Sequence, residues 1–78
     1  MSAILEELQA IATAGGLHII WRARRDGDGV KVACNCGRRD GANPLWVNAR
    51  ARPIDQLAGA IDDAAKMAVD YWSWQIRT

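Results

Sequence analysis

The sequence predicts one α+β domain of the order α-β-β-β-α. In it, a three-stranded antiparallel sheet is packed on one face by an N-terminal helix and a long C-terminal helix. Two observations lead to this prediction. Apolar residues recur at helical spacing near both ends of the chain, and they alternate with polar residues on either side of an Asp-Gly-Asp-Gly turn. With 78 residues, half of them hydrophobic, the chain is long enough for a single domain over residues 1–78.

The first helix is predicted over residues 3–14. Ser2 is a favourable N-cap residue, because its hydroxyl group can accept a hydrogen bond from the first helical turn. Gly15-Gly16 ends the helix, since glycine readily adopts the left-handed conformation that follows many helices. The helical spacing is carried by Ile4, Leu5, Leu8, Ile11 and Ala12.

A β-hairpin is predicted next, as two strands over residues 17–25 and 30–36 that are joined by the turn 26–29. Alternation assigns one parity of each strand to the core side. The core-side residues are Leu17, Ile19, Trp21 and Ala23 in the first strand and Val30, Val32, Cys34 and Cys36 in the second. The outer side of the first strand carries His18, Ile20, Arg22 and Arg24.

A third strand is predicted over residues 45–49. It follows a polar loop over 37–43 and Pro44, which has no N–H group to donate to a neighbouring strand. The residues expected to face the core are Leu45 and Val47, and those expected to face outward are Trp46 and Asn48.

The last helix is predicted to begin at Pro53, which suits a first helical turn, and to run for about six turns. The stripe expected to face the sheet consists of Ile54, Leu57, Ile61, Ala65, Ala68, Trp72 and Ile76. A second stripe consists of Ala60, Ala64, Met67, Tyr71 and Trp74. Either the first helix packs against this second stripe, or Met67, Tyr71 and Trp74 form a partner or dimer face.

Charge is segregated along the chain, although the formal net charge is only +1. Residues 18–52 carry eight Lys or Arg against three Asp, whereas residues 1–17 and 53–78 each carry a net charge of −2. Arginine beside an aromatic ring on an exposed sheet can bind nucleic acid or an acidic protein surface. The alternative is an ordinary solvated face that nearby aspartates partly neutralise. The candidate partner-binding residues are Arg22, Arg24, Arg38, Arg39, Trp46, Arg50 and Arg52.

An acidic helix face offers the opposite polarity. Its members are Asp62, Asp63 and Asp70, which would imitate phosphates and meet a basic groove. The sequence leaves both polarities open.

The two cysteines, Cys34 and Cys36, are expected to be free, buried thiols. One residue separates them, a spacing that resists a direct disulfide bond and differs from the two to four residues between paired zinc ligands. His18, the sole histidine, has the opposite strand parity, so a Cys–His catalytic pair is not expected. The sequence therefore predicts no catalytic residues, no metal, no cofactor and no enzymatic activity.

The α-β-β-β-α order resembles the double-stranded-RNA-binding domain over most of the chain. That family grips phosphates with a lysine cluster at the start of its last helix. Here Arg50 and Arg52 precede the helix, which opens with Ile54-Asp55-Gln56-Leu57-Ala58, so the cluster is missing. An alternative function is a small RNA- or DNA-binding module that uses the basic face of the sheet.

The turn Arg25-Asp26-Gly27 and the alanine-rich helix over residues 58–74 look like those of small phage-encoded anti-CRISPR proteins. This resemblance implies an inhibitor that occludes a surface of a bacterial defence complex. The expected partner is then a protein or ribonucleoprotein complex of the host, with nucleic acid and a regulatory homodimer as alternatives. Because no apolar run approaches the roughly 18–20 residues that cross a bilayer, and the acids Glu6 and Glu7 come early in the chain, a cytoplasmic location is expected.

Overall fold

The structure is a computed structural model that describes residues 3–38 and 45–77, with every side chain in these ranges except those of Arg38, Leu45 and residues 74–77. The elements in chain order are α1 (Ala3–Gly15), β1 (Leu17–Asp26), β2 (Gly29–Arg38), β3 (Leu45–Asn48), β4 (Arg52–Pro53), a 3₁₀ helix (Ile54–Gln56) and α2 (Leu57–Arg77). The predicted α+β class and the order of its five main elements are confirmed. No helix in the described ranges is long and apolar enough to cross a membrane.

Helix α1 matches its prediction closely. It ends at Gly15, and Gly16 has a φ of 65°, the left-handed conformation expected of a residue that follows a helix. Leu8 and Ala12 are buried in the core, and Ile4, Leu5 and Ile11 pack against it. The predicted N-cap residue, Ser2, lies outside the described residues.

The hairpin forms around a two-residue loop. Asp26 pairs with Gly29, so Gly27 and Asp28 make the turn, and Gly27 has a φ of 58°. Strand β2 runs to Arg38, so Gly37 and Arg38 belong to a strand and not to the predicted loop. The ladder continues this far because β1 starts at Leu17, which gives both residues a pairing partner.

The sheet has β2 at its centre and β1 at one edge. Strand β3 pairs along the other side of β2, and β4 pairs on that same side with Gly29 and Val30. Strand β4 was not predicted, because two residues that include Pro53 show no alternation. A β-carbon at position 29 would lie 2.6 Å from the backbone oxygen of Arg52, so the pairing of β4 requires glycine there.

The core lies between the sheet and the two helices, which also contact each other. Helix α2 approaches closely because its buried face is built from small residues. Four alanines on it are fully buried: Ala60, Ala64, Ala65 and Ala68. Strand β2 contributes the largest share of the sheet's core residues, namely Val30, Val32, Cys34 and Cys36.

The predicted stripes of the last helix are partly wrong. Helix α2 begins at Leu57 and not at the predicted Pro53, which belongs to β4. Ile54 is 57% exposed, because it lies in the 3₁₀ helix, whose tighter turn departs from α-helical spacing. Leu57, the first residue of α2, is also exposed. The second stripe is divided. Its first two members, Ala60 and Ala64, are core residues, whereas Met67 and Tyr71 are exposed.

The core side of β1 is also less buried than predicted. Leu17 is buried and Ile19 is partly buried, but Trp21 is 40% exposed and Ala23 is exposed. Burial therefore stops about a third of the way along this edge strand. Val47 on β3 packs against the core as predicted, while the side chain of Leu45 lies outside the described residues.

Candidate binding face

We call the sheet face opposite the helices the outer face. It carries His18, Ile20, Arg22 and Arg24 from β1, Lys31, Ala33 and Asn35 from β2, and Trp46 and Asn48 from β3. The antiparallel register sets Ile20, Asn35 and Trp46 in one cross-strand row. Arg22, Ala33 and Asn48 form the next row. The prediction that Arg22, Arg24 and Trp46 share one face of the sheet is therefore confirmed.

Arg22 and Trp46 meet across the central strand. The Cζ atom of Arg22 lies 4.4 Å from the centre of the Trp46 ring, well within the about 6 Å of a cation–π interaction. The contact is diagonal, because Arg22 lies opposite Ala33 whereas Trp46 lies opposite Asn35 in the next row. Ala33 itself is only 7% exposed. Trp46 keeps 37% of its surface exposed. The pair therefore forms a flat, partly exposed platform that combines a guanidinium group with an aromatic ring.

A cavity of about 230 Å³ adjoins this platform. Its lining residues are Arg22, Arg24, Lys31, Ala33, Trp46 and Asn48. Three of them are cations, and Arg24 lies directly opposite Lys31 on the neighbouring strand. Among the described strand residues with outward parity, Asp26 at the hairpin end is the sole acid. Lys31 and Asn48 were not predicted as site residues, although their strand parity places them on the outer face.

Arg52, in contrast, is engaged within the fold. Its Nε atom donates a hydrogen bond to Asp63 at 2.6 Å, and Nη2 donates a second one at 3.2 Å. Its Nη1 atom donates to the side chain of Gln56 at 3.1 Å. This two-point pairing lowers the pKa of Asp63 and raises the pKa of Arg52. Arg52 was predicted as a partner contact, but its guanidinium group ties β4 to α2.

The predicted acidic face has mixed polarity. Asp63 is paired with Arg52, and the charges of Arg50 and Lys66 also lower the pKa of Asp63. Asp70 lines a cavity of about 520 Å³ together with both of these cations. The three aspartates therefore do not form an uninterrupted acidic surface. Arg50 is exposed, as predicted, but it lies beside these acids and apart from the residues that line the outer-face cavity.

Two apolar surfaces remain on the helix side of the molecule. Met67 and Tyr71 are exposed one turn apart on α2, and the ring of Tyr71 packs edge-on against Trp72 with centroids 5.2 Å apart. A groove of about 390 Å³ lies at the uncovered part of β1, and its apolar lining includes Trp21 and Leu57. The sequence did not reveal this groove, because both residues have the spacing of core residues.

Cys34 and Cys36 are buried, as predicted, and their thiols are not joined to each other. The Sγ atoms of Cys34 and Cys36 lie 3.9 Å apart on the core side of β2. The hydrogen bond between them, together with burial, raises the pKa of Cys34, and the same bond lowers the pKa of Cys36. His18 lies on the opposite face of the sheet. The described residues therefore do not bring a thiol and the imidazole together.

Arg39 lies outside the described residues, as do the side chains of Arg38 and Trp74, so their predicted roles stay predictions. Within 3–38 and 45–77, no group of three or more His, Cys, Asp or Glu is placed to hold a metal ion. Comparison of the chain with protein-family models, with curated proteins and with solved structures finds no match.

Proposed function

We propose that this protein is a non-enzymatic binding protein whose outer face engages an anionic macromolecule. The observation that carries this proposal is the platform made by Arg22 and Trp46, 4.4 Å apart on the face that the helices leave open. Arg24 and Lys31 add two further cations beside it. Such a face attracts negative charge and offers an aromatic surface for contact at the same place.

Preorganisation supports binding at this platform. A free arginine side chain loses rotamer freedom when a ligand orders it, which weakens binding. Here the ring of Trp46 already holds the guanidinium group of Arg22, and both side chains project from paired strands. Part of the ordering cost is therefore met during folding and not during association.

Binding is favoured over catalysis by the placement of the reactive groups. Cys34 and Cys36 are buried under the helices, where a substrate does not reach them. The one histidine of the chain, His18, is exposed on the other side of the sheet. A nucleophile and a base must come within hydrogen-bonding reach to act together, and these do not.

The narrower role of an inhibitor that occludes a bacterial defence complex rests on the anti-CRISPR resemblance. An open, preorganised face suits occlusion, since an inhibitor of this kind needs contact area and no chemistry. Capture from bacterial lysate followed by mass spectrometry tests this role. A captured complex must also lose its activity when the protein is added, or the inhibitory role is wrong.

The general proposal is tested on heparin, an anionic polysaccharide. The double variant Arg22→Glu/Arg24→Glu inverts two charges of the outer face, and Arg25→Glu/Lys66→Glu inverts two exposed charges elsewhere. Arg25 has core-side parity on the same strand, and Lys66 lies on α2, so the net charge changes equally in both variants. We expect the wild type to be retained on heparin and the first variant to elute at clearly lower salt.

The control variant is expected to elute close to the wild type, because its charges lie away from the platform. Circular dichroism and melting temperature verify that both variants fold. Equal elution of the two variants at the same salt contradicts the proposal, since retention then depends on net charge and not on the outer face.

A further inference from the structure

We infer that the anionic partner of the outer face is a single-stranded nucleic acid, an inference that rests on the proposed function. Single strands differ from other polyanions in that they present phosphates and the flat faces of unpaired bases together. The outer face offers cations for the phosphates and an aromatic ring for the bases within one patch. It has three cations and an exposed aromatic ring around a cavity of about 230 Å³.

The platform fits a base. Proteins that bind single strands stack bases on aromatic rings and on arginine guanidinium planes. Trp46 and Arg22 supply both kinds of surface in mutual contact, with 37% of the tryptophan still exposed. The adjoining cavity is smaller than the about 300–1,000 Å³ of typical small-molecule pockets, so it suits one flat ring or one phosphate at a time.

The neighbouring side chains fit the rest of a strand. Arg24 follows Arg22 by two residues, or about 7 Å along β1, so that each guanidinium group can meet a different phosphate. Asn48 shares a cross-strand row with Arg22, and Asn35 shares one with Trp46. Amide side chains both donate and accept, which is what contact with the edge of an unpaired base requires.

A duplex fits this face less well. Its bases are stacked on one another, so their faces are closed to Trp46. The segment that leads into α2, Ile54-Asp55-Gln56, carries no cation that could contact the phosphates of a second strand. Arg52, just before it, is held by Asp63. These observations favour single strands.

The test is fluorescence anisotropy with labelled oligouridine and oligothymidine of about 12 nucleotides, within the site sizes of known single-strand binders. Trp46→Ala removes the stacking surface, and we expect it to weaken binding about 5- to 150-fold. Trp21→Ala is the matched control, because Trp21 is 40% exposed on the other side of the sheet. It is expected to leave affinity unchanged. Trp46→Phe retains a ring and is expected to keep most of the affinity.

Salt dependence tests the cations separately. Contacts from Arg22, Arg24 and Lys31 to three phosphates give a slope of about −2 in log affinity against log salt. Affinity then falls about 20-fold between roughly 50 and 200 mM salt. Replacing Arg24 and Lys31 with glutamine is expected to bring the slope to about −0.7, the value for one remaining phosphate contact.

The outcomes separate this inference from the proposed function. Equal loss of affinity in Trp46→Ala and Trp21→Ala, in folded proteins, overturns the inference. Binding of a matched RNA duplex as tightly as the single strand also overturns it. If the oligonucleotides do not bind at low salt but heparin retention still depends on Arg22 and Arg24, the partner is an acidic protein or another polyanion. The inference then fails and the proposed function stands.

Discussion

The contact between Arg22 and Trp46 makes a quantitative prediction about folding as well as binding. Arg22→Met keeps the length of the side chain and removes its charge, and Trp46→Leu removes the aromatic ring. A double-mutant cycle built from these two changes isolates the energy of the contact from the energies of the separate side chains. No ligand is needed, so the cycle tests the geometry on which the proposed function rests.

The magnitude follows from distance and exposure. Cation–π pairs contribute roughly 0.5–1 kcal/mol at exposed sites and about 2 kcal/mol when desolvated. The separation of 4.4 Å is close, but Trp46 is 37% exposed, which places this pair near the middle of the range. We therefore expect a coupling energy of about 1 kcal/mol.

Urea denaturation followed by far-ultraviolet circular dichroism measures the coupling, because this signal does not depend on the tryptophan being replaced. At a slope of about 1 kcal/mol per molar urea, the double variant should depart from additivity by about 1 M in its midpoint. Melting temperature offers a second readout, at roughly 4–8 °C per kcal/mol for a domain of this size.

A second cycle, Arg24→Met with Trp46→Leu, is the control. Arg24 lines the same cavity but lies one row further from Trp46. This cycle is expected to be additive within about 0.5 kcal/mol. The reasoning is refuted if the Arg22 cycle is also additive within that limit, or if both cycles give the same coupling.

The remaining predictions concern the framework that holds the outer face. Arg52 keeps the pKa of Asp63 below its unfolded value, so this pair stabilises the fold above that value and the contribution is lost as pH falls. The difference in melting temperature between wild type and Asp63→Asn should therefore be present at about pH 7, shrink as the pH falls past the unfolded pKa of about 3.9, and vanish only below the lowered pKa that Asp63 has in the fold. Gly29→Ala should lower the free energy of unfolding by about 1–3 kcal/mol in urea, because its β-carbon meets the backbone of β4. Ala64→Leu should cost about 1–3 kcal/mol in the same assay, since the residue is fully buried, whereas Ala58→Leu at an exposed position should cost less than about 0.5 kcal/mol.

Each of these predictions has an outcome that contradicts it. If the difference in melting temperature between wild type and Asp63→Asn is the same in acid as at neutral pH, the charge of the Asp63 carboxylate does not stabilise the fold. An unchanged urea midpoint for Gly29→Ala means that β4 does not pack against β2 as described. Equal effects of leucine at positions 64 and 58 mean that α2 does not lie close to its neighbours.

Periodicity and turn chemistry predict much of this fold. The alternation on either side of Gly27 fixes the hairpin and its register, since a shift by one residue would expose the core side. The same alternation correctly placed Arg22, Arg24 and Trp46 on one face. These features are local, so a single sequence carries enough information to find them.

Features that depend on tertiary contact were not predictable. Nothing in the sequence indicates that Arg22 reaches diagonally across β2 to Trp46, because this depends on which strands become neighbours. The pairing of Arg52 with Asp63 joins residues on different elements in the same way. Trp21 is exposed because the helices do not extend over this part of β1. The alternation of residues along a strand does not show how far the helices cover it.

The position of β1 has a consequence beyond ligand contact. It is ten residues long and pairs with β2 alone among the described strands, so one side of its backbone can accept a strand from another copy. Arg22, Arg24 and Arg25 stand along that edge, and a second copy docking there would bring like charges together. The charges of these guanidinium groups therefore oppose edge-to-edge pairing of two copies. Under the proposed function, a polyanion that neutralises Arg22 and Arg24 would also weaken this repulsion, which would link binding at the outer face to aggregation through these two side chains.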